Sequence, residues 1–345
     1  MNFYILAFLL LFAVSSSSPL PDSQPKHKRK KADTAKIVFK STDGGQTWQD
    51  ISKGLPENLR EDGIHGNSFF ANDKGLFLRV EDGLYRSTPN ATPPFWTKEI
   101  FSDEHSSIAP GKSGIFAYKW GVNLKKINGT NVWSPIFEND PVPRIRTVFE
   151  TAGGAIFIGT DRGFFKTADD GKTWKHVYAG DLVGNLAESN GVLLATSMRK
   201  IIRSTDNGEN WEVVRSEGYL AFDVKPIKGG FAAITSTSET NTRTLRISYD
   251  GGKTWQPIDA GPQDKVVIDS IWRTWNDRPN VSLKRFPTSI IQVGENFLCS
   301  HPDGIFRSTD KGKIWKLLLP SVKDKVFNLC VSGNVIYAIP SKGGC

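Results

Sequence analysis

The chain has 345 residues, 44 Lys and Arg against 36 Asp and Glu, and a formal net charge of +8. With 38% hydrophobic and 23% charged residues it has the balance of a globular protein, not of a disordered or membrane-embedded one. Three cysteines are too few for a disulfide framework, and no spacing indicates a zinc site, so we predict neither metal nor cofactor. The 32 Gly, 21 Phe and 10 Trp favour short strands joined by tight turns.

An uncharged apolar run of twelve residues extends from Phe3 to Val14. It is too short to span a bilayer and is typical of a signal-peptide core, so we predict a signal peptide over residues 1–18. No cysteine follows the run as it would in a lipoprotein, and no apolar tail precedes Cys345. We therefore expect a secreted product without a membrane span, extracellular or, in a bacterium or plastid, periplasmic or luminal.

Residues 19–35 are rich in Pro and Ser and then basic, which predicts a disordered linker or a propeptide. Six Lys or Arg and one Asp fall within residues 26–36, so more than half of the net charge of +8 lies here. The basic run at residues 28–31 is open to three interpretations: a processing site, an arm that binds polyanions, or a solvated linker. Because the rest of the chain is only mildly basic, nucleic acid is not a predicted partner.

A repeated pattern, Ser/Thr-x-Asp-x-Gly-x-x-Trp, occurs five times in the remaining chain. The specified residues of the five copies are Ser41, Asp43, Gly45 and Trp48; Thr167, Asp169, Gly171 and Trp174; Ser204, Asp206, Gly208 and Trp211; Ser248, Asp250, Gly252 and Trp255; and Ser308, Asp310, Gly312 and Trp315. Residues 87–96 and 126–133 are interpreted as two decayed copies. Seven copies along one chain predict a repeat architecture.

Each copy has the composition of a hairpin turn. Ser/Thr and Asp side chains bond to nearby backbone N–H groups, Gly accepts a positive φ, and Trp anchors the returning strand. Three short apolar strands precede each turn, so one repeat predicts a four-stranded β-meander. A single such sheet cannot bury both faces, whereas seven in a ring can. The predicted fold is an all-β, seven-bladed β-propeller of four-stranded antiparallel blades over residues 36–345.

The two chain ends predict how this ring closes. The last repeat has strands near residues 326–331 and 335–339 and then ends, while the body of the chain begins with Ala35 to Ser41, the half that is missing. We therefore expect the N- and C-terminal strands to share one blade, which removes an open sheet edge.

The repeated motif resembles the Asp-box, or BNR, repeat of the sialidase-like superfamily. This resemblance covers residues 36–345 and implies a propeller whose boxes lie on the outer hairpins, away from the axis where ligands bind, so the box Asp residues are expected to be structural. In size and repeat number the chain is similar to photosystem II assembly factor-like and secreted BNR-repeat proteins, which bind partners and have no known catalysis. The photosynthetic role itself is not implied by boxes alone.

The function predicted on this basis is a secreted, non-catalytic module that binds or scaffolds a protein or glycan partner. Sialidases carry a Phe/Tyr-Arg-Ile-Pro signature before the first box, but here only linker precedes Ser41, and no Tyr–Glu pair is evident. We therefore name no catalytic residue. The alternative is a sialidase-like glycoside hydrolase, or a lectin, acting on acidic or plant-type glycans. A component of an extracellular matrix is a further alternative.

Candidate ligand-binding residues lie in two places. The spacing of 60 residues between Trp255 and Trp315 indicates an insertion, whose aromatic and basic side chains suit a sugar, a carboxylate or an acidic protein surface; packing under a long loop is the other interpretation. Near the start of an innermost strand, basic side chains together with Glu150 could point into the channel or form a solvated ion pair. The candidates are Trp272, Arg273, Trp275, Arg278, Arg144 and Arg146.

Three sequons, at Asn90, Asn128 and Asn280, are candidates for N-glycosylation in a eukaryotic secretory pathway. Cys299 and Cys330 fall on neighbouring strand patterns and are candidates for a disulfide. Cys345 would then be left to pair between chains.

Overall fold

The computed structural model describes residues 36–57, 59, 64, 66–99, 106–112, 114–119, 123–128, 132–136, 144–197, 200–215, 219–237, 243–258, 287–321 and 326–341. They form β-strands and tight turns, with one short 3-10 turn at Gly66–Ser68. The predicted signal peptide, residues 1–18, and the linker, residues 19–35, lie outside the described residues and stay predictions.

The described residues form twenty-eight strands, arranged in four-stranded antiparallel sheets. The chain opens with β1 (Phe39–Ser41) and β2 (Gln49–Asp50). Sheet 1 follows with β3 (Phe69–Asn72), β4 (Gly75–Val80), β5 (Gly83–Ser87) and β6 (Thr97–Glu99). Sheet 2 has β7 (Ser107–Pro110), β8 (Gly114–Lys119), β9 (Asn123–Asn128) and β10 (Val132–Pro135). Sheet 3 has β11 (Ile145–Glu150), β12 (Ile156–Thr160), β13 (Gly163–Thr167) and β14 (Lys175–Ala179).

The second half of the chain repeats the same arrangement. Sheet 4 has β15 (Val183–Ser189), β16 (Val192–Ser197), β17 (Lys200–Ser204) and β18 (Glu212–Arg215). Sheet 5 has β19 (Tyr219–Ile227), β20 (Gly230–Thr237), β21 (Arg243–Ser248) and β22 (Gln256–Ile258). Sheet 6 has β23 (Ser289–Val293), β24 (Asn296–His301), β25 (Gly304–Ser308) and β26 (Lys316–Pro320). The last strands are β27 (Val326–Ser332) and β28 (Val335–Ser341).

The last two strands and the first two form one sheet, in the order β2-β1-β28-β27, which we call the closing sheet. Strand β1 pairs antiparallel with β28, with Phe39 opposite Ala338, Lys40 opposite Tyr337 and Ser41 opposite Ile336. The prediction that strands from both chain ends share one blade is confirmed. The pairing gives each terminal strand a partner, so neither end leaves an exposed edge.

Neighbouring sheets meet through their first strands, which are the innermost ones. Strand β3 lies against β7, β7 against β11, and so on around to β23, while β27 of the closing sheet lies against both β23 and β3. The protein is therefore an all-β propeller of four-stranded antiparallel blades, as predicted. Both decayed copies of the motif fall where full copies do, between the third and fourth strands of sheets 1 and 2.

Burial falls from the second strand of each sheet to the fourth. Strands β4 and β12 are buried at every position, because sheets pack on both of their faces, whereas every position of β14 and β26 is exposed or half-buried. Between sheets lie separate apolar clusters. One of them joins Leu298 of sheet 6 to Phe327 and Phe39 of the closing sheet. Burying one such side chain contributes about 1.5–3 kcal/mol, so each joint between sheets is a small core of its own.

Candidate functional site

The two ends of the sheets carry different turns. Since the strands alternate in direction, the turns after the first and third strands emerge at one end, which includes the boxes and which we call the box face. The turns after the second strands and the connections between sheets emerge at the other end, the connection face. Residues 259–286, which follow β22 in the chain, are not among the described residues.

The five full boxes share one hydrogen-bond pattern, seen clearly in sheet 3. The Thr167 hydroxyl donates to Asp169 Oδ1 at 2.7 Å and accepts from the Gly171 N–H at 3.0 Å. Asp169 then accepts from the backbone N–H and the hydroxyl of Thr173, at 2.9 and 2.7 Å. The carboxylate therefore bonds to both sides of the turn that contains it. In the box of sheet 6 the fourth position after Asp310 is Ile314, and only its backbone N–H reaches the carboxylate, at 2.9 Å.

These bonds favour the ionised carboxylate. The hydroxyl and N–H of Thr47 lower the pKa of Asp43 to about 2, and those of Thr173 lower the pKa of Asp169 to about 2. The pKa values of Asp206 and Asp310 are lowered chiefly by the backbone N–H groups of Asn210 and Ile314. Charge-assisted acceptance from N–H and O–H groups explains this direction.

Each box glycine touches the preceding sheet, a contact that sequence reasoning did not anticipate. A Cβ added to Gly208 would lie 2.3 Å from Phe157 Cζ of sheet 3, and one added to Gly252 would lie 2.7 Å from Leu194 of sheet 4. The box tryptophans pack in the same direction, since Trp211 stacks on Phe164 with ring centroids 5.1 Å apart. Each box turn therefore also packs against the preceding sheet.

A basic residue before the box Ser or Thr reaches the next sheet's box. Arg203 Nε donates to the carbonyl oxygen of Gly251 at 2.8 Å. Lys166 Nζ lies 2.6 Å from Glu209, inside the box of sheet 4. The signal is visible in the sequence as Arg or Lys directly before the box, but it gives no indication of which turn the side chain contacts.

The innermost strands of sheets 3, 4 and 5 carry β-bulges near the connection face. The register shifts between Ile145 and Thr147 in β11, between Val183 and Leu186 in β15, and between Ala221 and Asp223 in β19. Among the described residues, the innermost strands of the other sheets pair without such a shift. Bulges often stand next to functional sites because they re-aim side chains. This arc of three sheets is the candidate site.

Arg146, one of the predicted candidates, is the extra residue of the first bulge. Its Nε donates to Asp161 Oδ1 at 2.6 Å, and both side chains are about one-third exposed. Arg144 is exposed at the start of the same strand. Glu150 instead lies at the box-face end of β11, where it accepts from the backbone N–H of Lys112 in sheet 2 at 2.7 Å. The structure thus separates Glu150 from the arginines with which it was grouped.

The second and third bulges bring a carboxylate, an amide and an ammonium together. Asn185 Nδ2 donates to Asp223 Oδ1 at 2.8 Å, and Lys225 Nζ lies 3.5 Å from the same oxygen. Burial raises the pKa of Asp223, although Lys225 and the hydrogen bonds oppose this effect. Together with Arg146 and Asp161, these three residues form what we call the mouth cluster. Sequence reasoning missed Asn185, Asp223 and Lys225, because nothing local marks them.

Other predicted residues fall in different places. Trp272, Arg273, Trp275 and Arg278 lie outside the described residues, as do Asn280 and Cys345. Asn90 is exposed in the turn after β5, and Asn128 ends β9. These positions remain predictions.

The candidate disulfide between Cys299 and Cys330 is not formed, since both thiols are free. Because successive residues of a strand point to opposite faces, the position of each cysteine in its strand decides which neighbouring sheet it faces, and this separates the two sulfur atoms. Cys299 pairs with Ile290, which packs toward sheet 5, whereas Cys330 pairs with Tyr337, which packs toward sheet 1. The two cysteines therefore lie on neighbouring sheets, but their side chains point away from each other.

Within the described part of the chain, no helix is long and apolar enough to cross a membrane. The same part holds no group of three or more His, Cys, Asp or Glu side chains suited to a metal ion.

The fold and the box geometry together define the class of protein. Residues 39–50 and 246–257 match the BNR/Asp-box repeat family, and both stretches span a described box hairpin. The chain therefore carries matches to the Asp-box repeat on a β-propeller fold.

The similar proteins fall into two groups, Ycf48 proteins and enzymes. The photosystem II assembly lipoprotein Ycf48 of Synechococcus sp. (strain CC9902) is 26% identical over 246 residues, which cover 66% of this chain and 71% of that protein. The structure of Ycf48 bound to D1 peptide is 13% identical with a TM-score of 0.54, covering 80% of this chain and 95% of that one.

Enzymes share the fold as well. Catalytically inactive virginiamycin B lyase from Staphylococcus aureus, with quinupristin, is 12% identical with a TM-score of 0.58, covering 82% of this chain and 97% of that one. The GH74 xyloglucanase from Xanthomonas campestris is 15% identical with a TM-score of 0.51, covering 82% of this chain and 51% of that one. At such identities the likeness shows the fold alone.

Proposed function

We propose that this propeller is a non-catalytic module that binds a protein partner at the mouth cluster and scaffolds an assembly. The observation that carries the proposal is the arc of three bulged strands, which presents Arg146, Asn185 and Asp223 from three consecutive sheets. Loops and side chains on a rigid scaffold are where binding residues concentrate.

The chemistry of the mouth cluster suits a polypeptide segment. It combines two cations and two carboxylates with an amide, so it can both donate to and accept from a partner's backbone and side chains. Arg146 and Asp161 are only part-buried, so a partner's carboxylate can replace Asp161 without leaving a deeply buried charge. Such exchange gives specificity through charge complementarity more than through raw affinity.

The relatives support a protein partner in general terms. One is named an assembly lipoprotein, and the structure of Ycf48 is described with a bound D1 peptide. We carry over to this chain only the class of partner, a protein or peptide. Glycan binding, as a lectin or glycoside hydrolase, and a role in an extracellular matrix are the other functions predicted from sequence. The glycan functions depend mainly on Trp272, Trp275 and their neighbouring arginines, which lie outside the described residues.

We also infer that the ring has seven blades and that the protein acts after export. The first inference rests on the contacts of β27 with both β23 and β3, which include the closing sheet in the ring. An experimental structure with another number of sheets around the axis would overturn it. The second rests on the apolar run from Phe3 to Val14 and on the relative's name as a lipoprotein. Amino-terminal sequencing of the mature protein, expected to start near residue 19, tests it.

The test of partner binding is capture from the native compartment with matched variants. Immobilised wild-type protein is compared with Arg146→Ala and Asp223→Asn, and with Lys172→Ala, which removes an exposed charge on the box face of sheet 3. We expect one or more proteins retained by the wild type and by Lys172→Ala but lost from both mouth variants. If the same proteins are retained by Arg146→Ala and Asp223→Asn as by the wild type, this site is excluded. A glycan array probed in parallel, with binding that the mouth variants abolish, would favour the lectin function instead.

A further inference from the structure

The joint between the closing sheet and sheet 1 differs chemically from the joints made by full boxes. In the turn after β5, Ser87 stands at the position of the box Ser, but Pro89 replaces the Asp and Ala91 replaces the Gly. The N–H of Ala91 donates to the carbonyl oxygen of Thr88 at 3.0 Å, instead of to a serine hydroxyl as in the full boxes. Ser87 therefore loses both the carboxylate that would accept its proton and the N–H that would donate to it.

Two buried hydroxyls and one lysine side chain face this joint. Ser87 and Tyr337 are 0% exposed, and within the described part of the chain neither hydroxyl has a hydrogen-bond partner. Lys40 is 6% exposed, and among the described residues its ammonium takes part in no hydrogen bond or ion pair. Buried hydroxyls without partners, such as those of Ser87 and Tyr337, are uncommon in folded proteins and call for a physical explanation.

Strand register places these groups on the same side. Lys40 and Tyr337 are directly opposite each other on β1 and β28. Their neighbours Phe39 and Ala338 pack toward sheet 6, so Lys40 and Tyr337 point toward sheet 1. From the other side, Leu76, which pairs with Ser87, packs in one apolar cluster with Tyr337, and Ala91 packs against that cluster.

Equivalent residues at other joints show where Lys40 is directed. Arg307 and Arg203 occupy the same position before a box Ser, and each donates to a carbonyl oxygen of the next sheet's box, that of Gly44 at 3.3 Å and that of Gly251 at 2.8 Å. The residues opposite them, Leu298 and Leu194, are apolar and touch the box glycine. In the closing sheet the corresponding residue is Tyr337, which adds a hydroxyl at the same level.

We propose that this joint binds a small monovalent anion, held by the Lys40 ammonium and the hydroxyls of Ser87 and Tyr337. The anion takes the place of the carboxylate that the full boxes supply from their own Asp. An ammonium has only donors and both hydroxyls can donate, so the set matches a halide or a small carboxylate, whereas the positive charge of the ammonium would repel a cation. One negative charge balances the single ammonium. Burial lowers the pKa of Lys40, and a bound anion would oppose that shift.

The test is thermal unfolding of the full chain in sodium chloride and in sodium gluconate at equal ionic strength, since gluconate is a much bulkier anion than chloride. For the wild type we expect the Tm to rise with chloride concentration, as mass action requires for a ligand of the folded state. The rise should disappear in Lys40→Met and shrink in Tyr337→Phe, a conservative change that keeps the ring packed. Lys172→Met, which removes an exposed cation, should keep the full rise.

A rescue variant distinguishes anion binding from a general salt effect. Pro89→Asp restores a carboxylate at the box position, so it should be as stable in gluconate as the wild type is in chloride and should no longer respond to chloride. Bromide-soaked crystals should also show an anomalous peak between Lys40 and Ser87. Equal chloride responses in the wild type, Lys40→Met and Pro89→Asp, with no bromide peak, would mean that only water hydrates these groups and would overturn the proposal.

Discussion

Arg307 donates from Nη1 to the backbone carbonyl oxygen of Gly44, 3.3 Å away in space and 263 positions earlier in the chain. This bond joins sheet 6 to the hairpin that β1 and β2 contribute to the closing sheet. Gly45, the next residue, completes the contact, because an added Cβ would lie 2.8 Å from Leu318 of sheet 6. The first hairpin of the chain is therefore held both by β28 in its own sheet and by the sheet before it.

Substitution of Phe39 tests how much the first hairpin contributes to stability. Phe39 is 7% exposed and its ring meets Phe327 edge-on with centroids 6.0 Å apart. Phe39→Ala should lower the free energy of unfolding by about 3–5 kcal/mol, measured by urea denaturation. Val213→Ala, at a side chain of sheet 4 that is 50% exposed, should change it by less than about 0.5 kcal/mol. Deletion of residues 36–50 should lower the Tm further, and an unchanged Tm would contradict ring closure.

Two glycines separate backbone strain from the contact between sheets. Gly208 and Gly154 both have positive φ, 78° and 86°, but only Gly208 has an obstacle, Phe157 Cζ at 2.3 Å from an added Cβ. Each Gly→Ala change should cost about 1–2 kcal/mol for the left-handed conformation. Gly208→Ala should cost a further 1–3 kcal/mol or so for overpacking. Equal losses in denaturant titrations would show that the box glycine is needed for its backbone angle alone.

Acid should loosen the box turns. The pKa of Asp169 is lowered from its ordinary 3.8 to about 2, first by the Thr173 hydroxyl, and so the carboxylate stabilises the fold only while ionised. Its contribution is complete above about pH 4 and is lost as the pH falls toward 2. The Tm of Asp169→Asn should therefore be lower than the wild-type Tm at pH 6 and approach it at pH 2. The exposed carboxylate variant Asp73→Asn should follow the wild type, and a constant difference across this range would refute the pH dependence.

Thiol titration tests whether Cys299 and Cys330 are free thiols. Cys299 is 1% exposed, and burial raises the pKa of its thiol to about 12, so it should not react with a disulfide reagent in the native protein. After unfolding without reductant, a Cys345→Ser variant should yield two free thiols, and added reductant should not increase that number. A count of zero before reduction would restore the Cys299–Cys330 bond.

The sequence was most informative where one residue type has one local role. Ser41, Asp43 and Gly45 act within a single turn, so their spacing predicts the hairpin directly, and the truncated last repeat predicts the closing sheet. The mouth cluster was accessible only in part. Arg146 was found because basic residues begin an innermost strand, but Asn185 and Asp223 meet through bulges in two different sheets, and no spacing within one repeat encodes that contact.

Glu150, in contrast, was included in the candidate site by the sequence but lies elsewhere in the structure. It was grouped with Arg144 and Arg146 because it is on the same strand, yet it caps a turn of the preceding sheet through the Lys112 N–H. Glu188 does the same one sheet further on, accepting from the Ala152 N–H at 2.7 Å. Such contacts repeat from sheet to sheet, but only knowledge of which turn faces which strand reveals them.

The short pairing between β1 and β28 has a mechanical consequence. Three residue pairs join these strands, and the antiparallel register sets the first residue of β1 beside the part of β28 nearest the end of the chain. Force that pulls the two termini apart would therefore load these pairs one after another, in an unzipping geometry, instead of shearing them together. The apolar clusters between neighbouring sheets are distributed around the ring, but under tension the protein should open first at the pairing of β1 with β28.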